Sequence, residues 1–552
     1  MSLSIVAAVA FALAPPPPET VDETDACTSI MVGRAATADG STMITYSADA
    51  PFMPKLLRHE GGPKEEGATF DVVAWEDDGA RGPIRQVART YGVVGLMNDR
   101  QVAIGETTTG GRRELRNPDG LLDYDALIWL TLQRAATARE AIDVIDALCA
   151  EYGYRSGGET FAIADPDEVW VMELIGKGKG VNGIVWVAAR VPDDALTVSA
   201  NMSRITTFPT DDPENWRFAD DVVEFAIKKG YFATGGAPFS FRDAYHPDAS
   251  AISKRVCGAR VWSIHRRACP SEEFPVDFHR GVEGAADGPL FVRPEKKLTV
   301  TDVLGLMRDH YEGTPYDMTR GVSAGPFGAP VRFRGLTFEV DGETYAWERP
   351  IATQQAGFVM LAQCRSWLPD PVGGVYWYAP DDPSTTPFAP LHCGITALPE
   401  AYATGRYDRF SWDSAWWIAN LVSNLAYDRW SRVFPDVEAA RDELEASALA
   451  LLPAVDQAAA ALHEKDEALA RRFLTDWAVG NADRQFERWR DLATTLLTKH
   501  VDGYVKDEKG RGRGVGYPEE WLRRVVAEEG DRLRLPPEPK EETPSGSPDR
   551  SG

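Results

Sequence analysis

The sequence predicts an α+β protein in which β-sheets are covered by helices. Short runs rich in β-branched and aromatic residues follow one another between residues 160 and 200, separated by turn signals such as Asp165-Pro166-Asp167. Blocks with apolar residues at helical spacing lie on either side of these runs, at residues 123–152 and 412–500. Strands that follow one another between helical blocks favour sheets packed against helices.

The first predicted element begins just after Cys27. Residues 28–32 are β-prone, Asp39-Gly40 indicates a turn, and residues 41–46 alternate back as a second strand. A further strand pair is expected around residues 91–98 and 101–105. The helical block at 123–152 follows, and after it come four predicted strands at residues 160–164, 169–173, 184–188 and 196–200.

The second half of the chain has a less regular pattern up to residue 350. Residues 308–315 are dense in polar groups beside a turn, which is typical of a capped helix end. Strands are predicted again at residues 359–363 and 374–378, before the helical block at 412–500. The last residues, 536–552, are rich in proline, glutamate and serine and are predicted to be disordered.

Composition excludes some classes of function. The chain has 552 residues and a formal net charge of −25. Because phosphate binding needs a basic face, we expect no nucleic-acid partner. The six cysteines are scattered and form no Cys-x-x-Cys pair, so neither a metal site nor a cofactor is predicted. Cys257 and Cys269 could pair in an oxidising compartment, and the sequence leaves this open.

The first 26 residues are predicted to be a signal or pro-segment. An apolar run from Leu3 to Ala14 is too short to span a bilayer but long enough for a signal-peptide core. Proline follows directly at residues 15–18 and disfavours cleavage there, which moves the expected cleavage to the Ala26-Cys27 bond. We therefore expect an exported protein, periplasmic or extracellular, with no stable membrane association after processing. A lipoprotein acylated at Cys27 and a misassigned start codon are the alternatives.

Cleavage before Cys27 would make this cysteine both nucleophile and base. A free thiol has a pKa near about 8.5 and is mostly protonated at neutral pH, whereas an α-amine near about 7.7–8.0 can accept its proton. Carried by the same residue, the amine takes the thiol proton directly or through one water. The alternative is that Cys27 is a small buried hydrophobic residue, as free cysteines usually are.

The motifs downstream of Cys27 form an ordered set that extends to about residue 500. Asn201 follows a predicted strand, and Arg204 and Arg260 are cations that could hold a carboxylate. The set resembles peptidase family C69, dipeptidases that belong to the N-terminal nucleophile hydrolases and are related to penicillin and bile-salt acylases. The resemblance rests on Cys27-Thr28, Asp39-Gly40-Ser41-Thr42, Gly95-Leu96-Met97-Asn98, Ile104-Gly105-Glu106-Thr107-Thr108, Gly158-Glu159-Thr160-Phe161, residues 169–173, 190–194 and 201–205, Arg260-Val261-Trp262, and residues 309–315.

The resemblance implies a four-layer αββα sandwich and a mature chain that begins at Cys27, by autoprocessing or by another protease. It makes Cys27 the nucleophile and its α-amine the base. By similarity to the acylases, Asn201 supplies the oxyanion-hole amide and Arg260 the active-site arginine. Oligomeric state is not decided, and a homo-oligomer remains open.

One stretch departs from the family pattern. Many members have Ala-Arg-Asn after the second strand begins, whereas this chain has Thr45-Tyr46-Ser47-Ala48-Asp49. The arginine that would tune the cysteine is absent, Tyr46 is expected to line the pocket instead, and Asp49 approximates the missing carboxylate. The predicted substrate-binding residues are Tyr46, Asp49, Asn98, Glu106 and Thr107, of which Asp49 and Glu106 are the expected partners of a substrate amine.

The predicted organisation follows from these interpretations. Residues 27–400 form the catalytic domain, and residues 401–505 form a helical region packed on it. The expected function is an exported cysteine dipeptidase that cleaves dipeptides or short peptides through an acyl-enzyme. The alternatives are an N-acyl amide hydrolase with the same chemistry and a non-catalytic exported binding protein that retains the fold.

Overall fold

A computed structural model describes residues 27–73, 80–247 and 250–535 of the chain. These residues form both helices and β-sheets, so the predicted α+β class is confirmed. The predicted leader, residues 1–26, and the predicted disordered tail, residues 536–552, lie outside the described part of the chain.

The strand that follows Cys27 lies inside a six-stranded antiparallel sheet. The strand order across this sheet is β14-β1-β2-β18-β19-β20. The strands are β1 (Ser29–Val32), β2 (Thr42–Asp49), β14 (Leu196–Ser199), β18 (Ala356–Cys364), β19 (Val375–Pro380) and β20 (Ala389–His392).

A second antiparallel sheet has eight strands, in the order β15-β13-β12-β11-β10-β9-β8-β3. Its strands are β3 (Arg58–His59), β8 (Val93–Val94), β9 (Met97–Asn98), β10 (Ala103–Gly110), β11 (Gly158–Ala164), β12 (Val169–Gly176), β13 (Ile184–Arg190) and β15 (Trp216–Phe218). Four two-stranded pairs complete the β-structure of the described residues: β4 (Gly62–Pro63) with β7 (Arg89–Thr90), β5 (Thr69–Val73) with β6 (Ala80–Arg85), β16 (Thr337–Val340) with β17 (Glu343–Ala346), and β21 (Tyr504–Lys506) with β22 (Gly512–Gly514).

The helices fall into groups on both sides of the sheets and at the end of the chain. They are α1 (Tyr124–Leu132), α2 (Ala138–Tyr152), α3 (Val222–Lys229), α4 (Phe241–Tyr245), α5 (Ala251–Ser253), α6 (Ala259–Ala268), α7 (Val300–Met307), α8 (Asp370–Gly373), α9 (Glu400–Ala403), α10 (Ala415–Asp428), α11 (Trp430–His463), α12 (Glu467–Lys499) and α13 (Glu519–Leu533). A π-helical turn, Lys254–Gly258, joins α5 to α6.

The two large sheets face each other, and helices cover their outer faces. Successive side chains of β1 point to opposite faces of its sheet. Met31 therefore packs into the core shared with the second sheet, whereas Ile30 and Val32 pack on the other side against Ile264 of α6 and Leu304 of α7. Helix α2 contacts β11, β12 and β13 of the eight-stranded sheet. The layers therefore follow one another as helix, sheet, sheet, helix.

The long helices α10, α11 and α12 pack on one another and on the six-stranded sheet. Their shared core includes Ile418, Val433 and Leu492. A buried ion pair between Arg365, directly after β18, and Asp456 of α11 ties the helices to the sheet at 2.5 Å. The helical character predicted for residues 412–500 is confirmed.

Two predicted elements are divided where local chemistry interrupts them. The helical block at 123–152 is two helices, because the side chains of Asp123 and Thr137 each cap a separate N-terminus. The strand expected at 91–98 is interrupted at Gly95, which has a φ of 55°. A Cβ at Gly95 would lie 2.4 Å from the Tyr376 ring, so this turn requires glycine.

All six cysteines lie in the described part of the chain, and all are free. Cys257 and Cys269 do not pair, because they lie at opposite ends of one helical segment. No helix in residues 27–73, 80–247 and 250–535 is long and apolar enough to cross a membrane. The same residues contain no cluster of histidine, cysteine or acidic side chains that could hold a metal ion.

Candidate active site

Cys27 lies at the start of the six-stranded sheet and lines a cavity of about 450 Å³. Hydrogen bonds between the next residue, Thr28, and Ser47 of β2 fix the position of Cys27. The Thr28 N–H donates to Ser47 Oγ and the Ser47 N–H donates to the Thr28 carbonyl, each at 3.0 Å. The Cys27 side chain is 6% exposed, so the cavity supplies its contact with a small molecule.

The Cys27 thiol lies beside two polar side chains that come from the two facing sheets. It donates to Glu106 Oε1 of β10 at 3.5 Å, and its sulfur is 3.9 Å from the hydroxyl of Tyr46 on β2. The Tyr46 hydroxyl donates to the same Glu106 oxygen at 2.6 Å. Three predicted site residues are therefore brought together, with Tyr46 in the pocket as expected.

Burial raises the pKa of the Cys27 thiol well above its usual value. The negative charges of Glu106 and Asp49 raise it further, and hydrogen bonds from the Asp49 backbone and Tyr46 offset only part of this effect. The thiol is therefore neutral at physiological pH in this environment. A reaction that uses its sulfur as nucleophile needs a separate proton acceptor.

Arg260 of α6 is fully buried and holds the backbone around Cys27. Its guanidinium donates to the Cys27 carbonyl at 2.6 Å and to Thr28 Oγ1 at 2.9 Å. The other donors reach the Ala200 carbonyl, Asn201 Oδ1 and the Val256 carbonyl. Burial, followed by the charge of Arg349, lowers the pKa of Arg260 to about 10, so it remains charged at neutral pH. Arg260 positions the site and does not line the cavity.

Asn201 follows β14 and has a φ of 60°, a left-handed conformation that asparagine tolerates better than most residues. Its Oδ1 accepts from Arg260 at 3.0 Å, and its Nδ2 donates to the Thr108 carbonyl at 3.0 Å. Arg260 thereby orients the amide with the nitrogen turned away from the guanidinium. Its second Nδ2 hydrogen forms no hydrogen bond within the described residues, and Asn201 is not among the residues that line the cavity beside Cys27.

Asp49 forms a fully buried ion pair with Arg349, a residue 300 positions further along the chain. Ser47 donates to the same carboxylate oxygen at 3.2 Å. Burial raises the pKa of Asp49, and the positive charge of Arg349 opposes this rise. The sequence reasoning missed Arg349, because no local pattern connects it with β2. The segment at residues 45–49 is thus paired with a guanidinium from a distant part of the chain.

Glu159 is a second residue that the sequence reasoning did not assign. Its side chain is fully buried on β11, where it pairs with Thr108, two positions from Glu106. Burial and the charge of Glu106 raise the pKa of Glu159 well above its usual value, which favours the protonated form of this carboxyl. Its motif, Gly158-Glu159-Thr160-Phe161, was noted in the sequence, but nothing in it indicated a contact with Glu106.

The rest of the cavity combines apolar walls with an acidic side. Asp125, in the first turn of α1, lines the cavity. Desolvation, followed by the charge of Asp123, raises the pKa of Asp125 to about 6. The main apolar side chains of the wall are Phe52, Leu96, Ile128, Trp129, Phe358 and Tyr378.

Two residues predicted to bind substrate have other contacts and do not line the cavity. Asn98 uses its whole amide for backbone bonds, donating to the Leu132 and Ala135 carbonyls at 2.7 Å and accepting from two N–H groups. Thr107 follows Glu106 on β10, so its side chain points to the opposite face. There its hydroxyl lies 2.5 Å from Ser199 Oγ, which links the two sheets. The structure therefore places neither side chain in the cavity beside Cys27.

Comparison with known proteins identifies the family. The family model of peptidase family C69 matches residues 26–60 and 62–443, and the chain belongs to this family. Dipeptidase A of Lactobacillus helveticus is 26% identical over 439 residues, which cover 76% of this chain and 85% of that protein. A probable dipeptidase of Latilactobacillus sakei is 25% identical over 504 residues, 86% of this chain and 96% of that protein. A dipeptidase of Bifidobacterium longum is 26% identical over 484 residues, 79% of this chain and 84% of that protein.

The family resemblance predicted from the motifs is therefore confirmed, and the chain is a peptidase, an enzyme that hydrolyses peptide bonds.

Proposed function

We propose that this peptidase is an exported cysteine dipeptidase whose nucleophile is the thiol of Cys27. The proposal assigns the cavity beside Cys27 as the substrate site and the bond before Cys27 as the processing site. The names of the relatives, dipeptidase in three organisms, favour this substrate class. The succession of helix, sheet, sheet and helix supports the four-layer fold of the N-terminal nucleophile hydrolases.

The position of Glu106 is the observation on which the substrate class depends. In a dipeptide the free α-nitrogen lies about 2.5 Å from the carbonyl carbon that is attacked, given standard bond lengths. Glu106 Oε1 lies 3.5 Å from the Cys27 sulfur. A substrate ammonium bound to Glu106 therefore brings its own carbonyl next to the nucleophile. An N-acyl amide has no amine at this position, so the geometry favours a dipeptidase over an acylase.

The proposed reaction uses the residues in the following order. Removal of residues 1–26 frees the α-amine of Cys27, which takes the thiol proton as sulfur attacks the carbonyl carbon. The amide nitrogen of Asn201 donates to the oxyanion of the tetrahedral intermediate. The α-ammonium then gives its proton to the leaving amine, and a thioester remains. Water attacks this thioester and restores the thiol. Because the surroundings keep the thiol protonated, the freed amine is needed as a base.

A substitution at Glu106 that removes its charge and keeps its shape tests the substrate class. Glu106→Gln should lower kcat/KM for a dipeptide about 30-fold, because a charge-assisted bond to the ammonium is replaced by a weaker one. The same variant should not lower the rate with the N-acetylated dipeptide, since that substrate has no ammonium. Steady-state kinetics with both substrates measure the difference.

A matched control variant separates this effect from a loss of activity that any Glu→Gln substitution would cause. Glu443 is exposed on α11 and lies outside the cavity, so Glu443→Gln should leave both rates unchanged. Faster hydrolysis of N-acetylated dipeptides than of free dipeptides by the unmodified enzyme would contradict the proposal and favour the acylase.

A further inference from the structure

Lys55 lies in the cavity without an ionic partner. It follows β2 in the segment that leads from Asp49 to Leu56, and its side chain is exposed. Within the described residues, Lys55 forms no ion pair and no side-chain hydrogen bond, whereas the cavity-lining Asp49 is paired with Arg349. A lysine without an ion-pair partner can bind an anionic ligand without first breaking an internal contact.

The charges around the cavity are otherwise negative. Asp49, Asp71, Glu106 and Asp125 all line it, and Arg349 neutralises only the first of these. Among the described lining residues, Lys55 is the single lysine or arginine. The acidic groups attract the ammonium end of a substrate and repel its carboxylate. The favourable position for a carboxylate inside the cavity is therefore beside Lys55.

The length of a dipeptide keeps both of its charged ends inside this cavity. Two residues span at most about 7 Å when extended. A dipeptide held at Glu106 by its amine therefore has its carboxylate within about 7 Å of that side chain, among the walls of a cavity of about 450 Å³. A longer peptide bound in the same way would have a neutral amide there, and its own carboxylate would lie further out.

We propose that Lys55 binds the C-terminal carboxylate of the dipeptide and is a specificity-determining residue of this enzyme. Together, Glu106 and Lys55 select substrates with a charged group at each end and apolar side chains between them. This inference rests on the proposed dipeptidase function and adds the residue that distinguishes dipeptides from longer peptides.

The test compares the unmodified enzyme and two Lys55 variants on two substrates. A Leu-Leu dipeptide and its C-terminal amide differ only in the charge that Lys55 would contact. The unmodified enzyme should hydrolyse the dipeptide with a kcat/KM about 10-fold higher than that of the amide. Lys55→Ala should lower the value for the dipeptide about 10-fold and leave the value for the amide unchanged. Lys55→Arg should retain most of the preference, and high salt should reduce it in the unmodified enzyme.

A second lysine provides the control, and the outcomes are distinct. Lys297 is exposed and lies outside the cavity, so Lys297→Ala should affect neither substrate. Equal losses for the dipeptide and the amide in Lys55→Ala would show a structural role and overturn the inference, as would an unmodified enzyme without preference for the carboxylate. An unmodified enzyme that hydrolyses neither substrate would instead overturn the proposed function, and the inference with it.

Discussion

Cys27→Ala is expected to lower kcat/KM for dipeptides by at least about 10⁴-fold, because the variant lacks the only nucleophile in the proposed reaction. The fold should persist, since alanine fits the space of a thiol whose neighbours are held by Arg260 and the backbone of Ser47. Dipeptide hydrolysis and circular dichroism of the same preparation measure the two effects. Intact-mass analysis adds a third result: if processing is autocatalytic, Cys27→Ala should retain residues 1–26.

The other cysteines allow a strict control for this experiment. Cys269 is buried at the end of α6, donates to the Arg293 carbonyl at 3.1 Å and does not line the cavity. Cys269→Ala should therefore keep most of the activity. Full dipeptidase activity in Cys27→Ala, or an active mature enzyme whose first residue is not Cys27, would be incompatible with the mechanism.

Arg349→Met is expected to destabilise the folded protein by about 3–5 kcal/mol, because it leaves the charge of Asp49 buried without its partner. This loss of folding stability should be larger at higher pH. Asp49 already has a raised pKa in the folded state, and removal of Arg349 raises it further. A carboxyl group whose pKa is raised in the folded state contributes stability at pH values below its pKa in the unfolded chain. This stability is lost as the pH rises towards the pKa of the group in the folded state. Urea unfolding at pH 5 and pH 8 should show the larger loss at pH 8.

A double variant and an exposed pair test the cause of this loss. Arg349→Met combined with Asp49→Asn should recover part of the stability, because no buried charge remains. Arg293 forms an exposed ion pair with Asp194, and Arg293→Met should cost less than about 1 kcal/mol. An Arg349→Met protein as stable as the unmodified one at pH 8 would show that Asp49 is neutral in the native site.

Most of the sheet strands could be predicted from the sequence, because their signals are local. The runs at 160–164, 169–173, 184–188 and 196–200 alternate or are uniformly apolar, and turn residues separate them. The pairs β5–β6 and β16–β17 were missed, since their strands carry glycine, proline and charged residues and cover little apolar surface. The divided strand at Gly95 depends on contact with Tyr376, 281 positions away, which no local pattern contains.

The candidate site could be predicted where a residue type alone restricts the chemistry. Cys27, Asn201 and Arg260 were assigned because a thiol, an amide and a guanidinium in that order match the family motifs, and in the structure Arg260 donates to the Cys27 carbonyl and to the Asn201 amide oxygen. Asn98 and Thr107 lie in equally clear motifs, but the Asn98 amide binds backbone carbonyls and the Thr107 hydroxyl contacts the facing sheet. A motif does not indicate the face to which a side chain points. The contribution of Arg349 depends on tertiary structure alone.

The hydrogen bond between Arg260 and the Cys27 carbonyl has a consequence for the time course of the proposed processing. It holds residue 27 from its carboxyl side, together with the bridge between Thr28 and Ser47, and neither contact involves residues 1–26. The proposed removal of residues 1–26 would therefore break neither of these two contacts. Activity should rise in step with the fraction of cleaved chains, without the lag that a later rearrangement of the site would add.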